Sequence, residues 1–69
     1  MPKINILLNG EEKLIEAKTS IKKLIDELEL DVKKIAIEKN YEIILPKHFE
    51  SEALSAGDKI EIVHFIGGG

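Results

Sequence analysis

The sequence contains no cysteine, no tryptophan, no arginine and only two prolines. Without cysteine there is no disulfide, thiolate metal site, redox dithiol or cysteine nucleophile. Ten lysines face thirteen Asp and Glu, for a net charge of −3. A nucleic-acid binder would normally carry a basic face and use arginine for bidentate contacts. One Tyr and two Phe are too few for a base-stacking platform. No apolar run approaches the roughly 20 residues of a membrane span, and the start has no signal-peptide layout. The expectation is a soluble, cytoplasmic, mildly acidic domain.

What is present is aliphatic. Twelve Ile, eight Leu and two Val occur among 69 residues. A chain this short sits near the lower size limit for folding alone and needs disulfides, a metal or a very apolar core. Only the core is left. There is room for one core and one covering layer, and none for a deep substrate pocket.

Residues 3–8 (KINILL) place Ile4, Ile6 and Leu8 on one parity and Asn5 and Leu7 on the other. Asn9-Gly10 follows, a strong hairpin signal because both residues tolerate φ > 0. A second strand over about 12–17 pairs back antiparallel. Thr19 or Ser20 can cap a helix, in which Ile21, Leu24, Ile25 and Leu28 recur at i, i+3, i+4 and i+7. Residues 35–37 read as a short buried strand, Asn40-Tyr41 as a turn, and 43–45 as an extended run stopped by Pro46. Residues 47–56 are irregular, with room for a short helical turn near 50–54. Ala56-Gly57-Asp58 launches a last strand over 59–66, apolar on both parities and therefore central. Laid parallel beside the first strand, with the helix crossing one face, these elements make a mixed-sheet α+β domain of the β-grasp, or ubiquitin-like, type. The expected division is a β-grasp domain over 1–66 and a flexible glycine tail over 67–69.

Gly67, Gly68 and Gly69 follow the last strand directly. Consecutive glycines pack nothing and lose the most entropy on ordering, so they do not stabilise a fold. An inert flexible end is one reading. In the other, three extended residues reach about 10 Å beyond the body, and their lack of Cβ atoms lets them thread a narrow groove. They would carry the α-carboxylate of Gly69 to an enzyme that activates it by AMP transfer. The chemistry would then be done on this protein rather than by it.

The segments Ala36-Ile37-Glu38-Lys39-Asn40, residues 43–46 (IILP) and residues 57–69 (GDKIEIVHFIGGG) resemble the ThiS family of thiamin-biosynthesis sulfur carriers. The ending is the specific part and the first hairpin is generic. The resemblance implies a β-grasp fold whose Gly-Gly terminus is adenylated by a ThiF-type enzyme. That partner uses ATP, and the domain itself holds no cofactor. The carboxyl becomes a thiocarboxylate, with sulfur drawn from a donor system such as a cysteine desulfurase. A ThiG-type thiazole synthase then receives it. On these positions Gly69 bears the reactive carboxyl, Gly68 precedes it and Gly67 is an additional tail glycine. Tyr41 stands where the family often has Gly, and Lys47 where Arg is common. A MoaD-like carrier for molybdopterin synthesis, a ubiquitin-like protein modifier and an inert interaction module are the alternatives.

Leu7, Val63 and Phe65 share the parity opposite to the helix-facing isoleucines. They form either an exposed apolar patch that docks partner enzymes or a surface covered by residues 46–56. His48 and His64 show no metal-ligand spacing, and no nucleophilic triad or acid/base pair emerges. The expectation is no metal site and no catalytic residue.

Overall fold

The computed structural model describes residues 2–65. The expected arm Gly67-Gly68-Gly69, and Ile66 before it, lie outside these residues. The chain opens with the hairpin that Asn9-Gly10 predicts. Strands β1 (Lys3–Leu8) and β2 (Glu11–Glu16) pair antiparallel, with Ile4 opposite Ile15. Asn9 and Gly10 adopt φ of 49° and 84°, the left-handed pair that a two-residue type I′ turn requires.

Ser20, not Thr19, caps helix α1 (Ile21–Glu27). Its hydroxyl oxygen accepts from the Lys23 N–H at 3.0 Å, while the Thr19 hydroxyl is already committed to the Glu16 carbonyl at 2.6 Å. The remaining first-turn donors also find acceptors: Ile21 N–H donates to the Glu52 carbonyl, Lys22 N–H to Phe49 and Leu24 N–H to Ser20. A helix start normally leaves such groups orphaned. Here the Ile21 and Lys22 donors bind the irregular segment that follows β4, and the Leu24 bond to Ser20 is the first within the helix. Leu28 is the C-cap, and the helix ends in a Schellman motif. Leu30 N–H bonds to the Ile25 carbonyl and Glu29 N–H to Asp26, with Glu29 held at φ 59°.

A 3₁₀ turn over Val32–Lys34 leads into β3 (Ile35–Lys39). Asn40 and Tyr41, at φ 52° and 72°, turn the chain into the short edge strand β4 (Glu42–Ile44). The short helical turn expected near 50–54 is instead a 3₁₀ turn at Pro46–His48. Pro46 presets the helical φ there. The turn continues to Ser51, with the Ser51 and Glu52 N–H groups both on the His48 carbonyl. The chain is drawn out only from Glu52, which offers its carbonyl to α1 while Leu54 N–H donates to Thr19. The last strand, β5 (Lys59–His64), stops before the expected residue 66.

The sheet order is β2-β1-β5-β3-β4. β5 is central as its two apolar parities predict, parallel to β1 and antiparallel to β3. Helix α1 buries Ile21, Leu24 and Ile25 against Ile6, Ile15, Ile37, Ile60 and Ile62 of the sheet. Phe49 and Leu54 close the same core. Fully burying each such side chain contributes roughly 1.5–3 kcal/mol. Among the described residues no helix is long and apolar enough to cross a membrane.

Candidate functional site

The helix and the 46–56 segment lie on one face of the sheet, so strand alternation sends the other parity outward. Leu7, Val63 and Phe65 are 36%, 57% and 59% exposed. The covering segment has its apolar anchors, Phe49 and Leu54, in the core instead, and its carbonyls on the start of α1. The 46–56 segment therefore does not cover these three side chains, which stand exposed.

Other apolar side chains stand on the same face of the sheet. Leu14, 65% exposed, stands opposite Asn5 in the hairpin register and so joins the face of Leu7. Ile43, 70% exposed, stands opposite Glu38, which in turn faces Glu61. The signal for both was the pairing register, which extends the parity of Leu7 and Val63 across neighbouring strands. Phe65 also borders an apolar depression of about 360 Å³ that includes Ala36, Ile43, Leu45 and Pro46. Its backbone N–H bonds to the Lys34 carbonyl at 2.8 Å, which keeps the chain beside β3 just past the end of β5.

The polar surroundings are acidic. Glu38 and Glu61 are direct cross-strand neighbours, a like-charge pairing that costs sheet stability. Glu12 faces Leu7 and accepts from the Asn5 amide at 3.1 Å. His48 and His64 are exposed and apart from any cluster. Among the described residues no group of three or more His, Asp or Glu is placed to hold a metal ion. The outward face of the sheet carries exposed apolar side chains, Leu7 and Leu14 towards one end and Ile43, Val63 and Phe65 towards the other, with Glu38 and Glu61 between them.

At the base of β5 a polar network fixes that strand. Asp58, buried, accepts from Asn40 Nδ2 at 3.0 Å and from the Ser55 N–H at 2.7 Å. Asn40 Oδ1 accepts from the Lys59 N–H at 2.9 Å. Lys39 pairs with Glu52 and so ties β3 to the segment that caps α1. That hydrogen bond, more than any other influence, raises the Lys39 ammonium above the ordinary lysine value; burial opposes it, and the charges of Glu52, Asp58 and Glu42 assist.

A five-stranded mixed sheet gripping one helix defines a β-grasp protein, and solved structures match it. The crystal structure of a thiamine biosynthesis protein (ThiS) from Geobacter metallireducens superposes with a TM-score of 0.83, covering 96% of this chain and all of that one at 23% identity. The ThiS family model matches residues 5–69. The sulfur carrier protein ThiS of Bacillus subtilis is 38% identical over 63 residues, covering 90% of this chain and 96% of that protein. The chain belongs to the ThiS family. Two proteins named thiazole synthase also match, from Paramagnetospirillum magneticum at 41% identity and Magnetococcus marinus at 38%. The match takes 96% of this chain but spans only 20% of each of those proteins.

Proposed function

We propose that this chain is a sulfur carrier of thiamin biosynthesis, a protein substrate whose Gly69 carboxyl is the reacting group. The observation that carries the reading is the family match running through residue 69, on a fold whose central strand leads past an exposed apolar face. In the first step a Gly69 carboxylate oxygen attacks the α-phosphorus of ATP on a ThiF-type enzyme. Pyrophosphate leaves, and an acyl-adenylate remains. Sulfide attacks that carbonyl and expels AMP to give the thiocarboxylate. Where a cysteine desulfurase supplies the sulfur as a persulfide, the acyl disulfide formed is cleaved by a second thiol, which leaves as a disulfide with the donor and releases the thiocarboxylate. AMP is a good leaving group where oxide is not, which is why activation must come first.

The chain's own part is to bind and to present. Leu7, Val63 and Phe65, with Leu14 and Ile43, give partners an apolar surface. Gly67 and Gly68 offer an arm without side chains that can enter a narrow cleft, with Gly69 at its reacting end. ATP belongs to the partner. The thiazole synthase is the proposed acceptor, supported by the two thiazole synthases that contain a stretch homologous to this chain. A cytoplasmic setting, where ATP and reduced sulfur are available, goes with this reading.

Incubation with a ThiF-type enzyme, magnesium ATP and sulfide, followed by intact mass measurement, tests it. Replacement of one oxygen by sulfur on the C-terminal fragment is the expected result. Higher-mass conjugates to lysines would instead indicate a protein modifier, and an unchanged mass an inert module.

A further inference from the structure

Strand β1 is too short to accompany β5 to its end. Its last register partner is Leu8, opposite Ile60, after which Asn9-Gly10 turns the chain away into β2. One more backbone bond is made, from the Asn9 N–H to the Ile60 carbonyl at 2.8 Å. A continuing parallel strand would next offer a carbonyl to the Ile62 N–H and an N–H to the Ile62 carbonyl. The left-handed turn at Asn9 removes that possibility. Its side chain supplies both groups instead: the Ile62 N–H donates to Asn9 Oδ1 at 2.7 Å, and Asn9 Nδ2 donates to the Ile62 carbonyl at 3.4 Å.

On the opposite side β5 stays paired with β3, through Ile37 at Ile62 and Ile35 at His64. The Phe65 N–H then bonds to the Lys34 carbonyl. The exit path of the chain is therefore gripped from both sides only as far as Ile62, and the β1-side grip there is one carboxamide. Asn9 accounts for two separate demands. It adopts φ 49°, which Gly or Asp also tolerates, and it bonds the neighbouring strand, which Gly cannot do.

We infer that Asn9 is a positioning residue for the glycine arm: its carboxamide stands in for the missing strand beside Ile62 and fixes the course of β5 up to Phe65, the stretch from which the arm is presented. The inference rests on the sulfur-carrier reading above. An arm aimed wrongly still docks through Leu7, Val63 and Phe65, but its carboxyl reaches the α-phosphorus less often. Small misplacements of a reacting group lower turnover steeply, by up to about a hundredfold.

The test compares wild type, Asn9→Gly and Asn9→Asp as substrates of a ThiF-type enzyme, with pyrophosphate release as the kinetic readout and hydrogen exchange at the Ile62 amide as the structural one. Asn9→Gly keeps the turn conformation and deletes the grip. The expected result is about a tenfold fall in kcat, KM for the carrier within twofold, and accelerated Ile62 exchange. Asn9→Asp retains an acceptor for the Ile62 N–H, the shorter of the two bonds, and should recover most of the kcat. Thermal melts establish that each variant is folded at the assay temperature. A kcat for Asn9→Gly within twofold of wild type, or unaltered Ile62 exchange, overturns the inference. So does a change confined to KM, because that would place Asn9 in docking. If wild type itself releases no pyrophosphate and gains no sulfur, the carrier reading fails first and the inference falls with it.

Discussion

The Asn40 side chain binds Asp58 and thereby joins the β3–β4 turn to the start of the central strand. Its Nδ2 donates to Asp58 Oδ1 at 3.0 Å, and Asp58 Oδ2 accepts from the Ser55 N–H at 2.7 Å. A buried donor stripped of its acceptor costs about 1–3 kcal/mol. Asp58→Ala should therefore lower the urea midpoint by an amount in that range, with the denaturant slope unchanged. Asn40→Ala should cost less when added to Asp58→Ala than alone, since residues in one network are not additive. Additive losses in the double-mutant cycle would contradict a shared network.

Tyr41 is 76% exposed yet sits at φ 72°, a conformation that costs a non-glycine residue roughly 1–2 kcal/mol. Its compensation is a surface contact: Lys59 Nζ donates to the hydroxyl at 2.7 Å and lies 4.7 Å from the ring centre. The hydroxyl is the nearer partner, and an exposed bond of this kind is worth little. Tyr41→Gly completes an Asn-Gly type I′ turn and should raise stability by about 0.5–1 kcal/mol. Chemical denaturation measures it. A loss would show that the tyrosine ring contributes more than its exposure indicates.

The two hairpin turns, Asn9-Gly10 and Asn40-Tyr41, show where the sequence was readable. Asn9-Gly10 declares its hairpin because each residue type is suited to φ > 0, and the stripe from Ile21 to Leu28 declares its helix by spacing. The central place of β5 follows from isoleucines on one parity and Val63 and Phe65 on the other. What was not legible depends on partners distant in the chain. The helical turn expected near 50–54 starts earlier, at Pro46, and stops at Glu52, where the start of α1 claims the Phe49 and Glu52 carbonyls. Glu29 carries no sign that it will end a helix in the left-handed region. At the site, the parity of Leu7, Val63 and Phe65 was visible, whereas Leu14 and Ile43 required the register. The second role of Asn9 was hidden because a turn residue gives no hint that its side chain will bond a strand 53 positions away.

Removing the left-handed strain at Glu29 is a separate gain. The residue is exposed, at φ 59° in the C′ position of α1, where glycine is the usual occupant. Glu29→Gly should stabilise the domain by about 1 kcal/mol, seen as a higher thermal midpoint. An unchanged or lower midpoint would mean that unfolded-state entropy cancels the relief.

The Lys39–Glu52 pair makes an alkaline prediction. Its hydrogen bond raises the Lys39 ammonium above the ordinary lysine value of 10.5, so the folded state holds that proton more tightly than the unfolded chain. The contribution is fully present below about pH 10.5 and is lost as pH rises through the elevated folded value. Glu52→Gln removes the cause of the rise. At neutral pH it should cost about 0.5–1 kcal/mol, and the gap between wild type and variant should narrow above pH 10.5. Urea midpoints at neutral and alkaline pH give both numbers. A gap that is constant with pH would place the interaction elsewhere.

Phe65 tests the docking face most directly, because it is 59% exposed and follows the last residue of β5. Its side chain contributes little to the core, which holds Ile60 and Ile62 from the same strand, and its bond to the Lys34 carbonyl is made by the backbone. Phe65→Asp should therefore leave the thermal midpoint within a few degrees of wild type. Placing a charge within an apolar interface should weaken partner binding by about 2 kcal/mol or more, roughly thirtyfold in Kd for the adenylating enzyme. Lys47→Ala, on the 3₁₀ turn outside the open sheet face, is the control and should bind as wild type. Calorimetric titration of both variants distinguishes the cases. Unfolding of Phe65→Asp would show that the ring supports the fold, and undiminished affinity would move the interface off this face of the sheet.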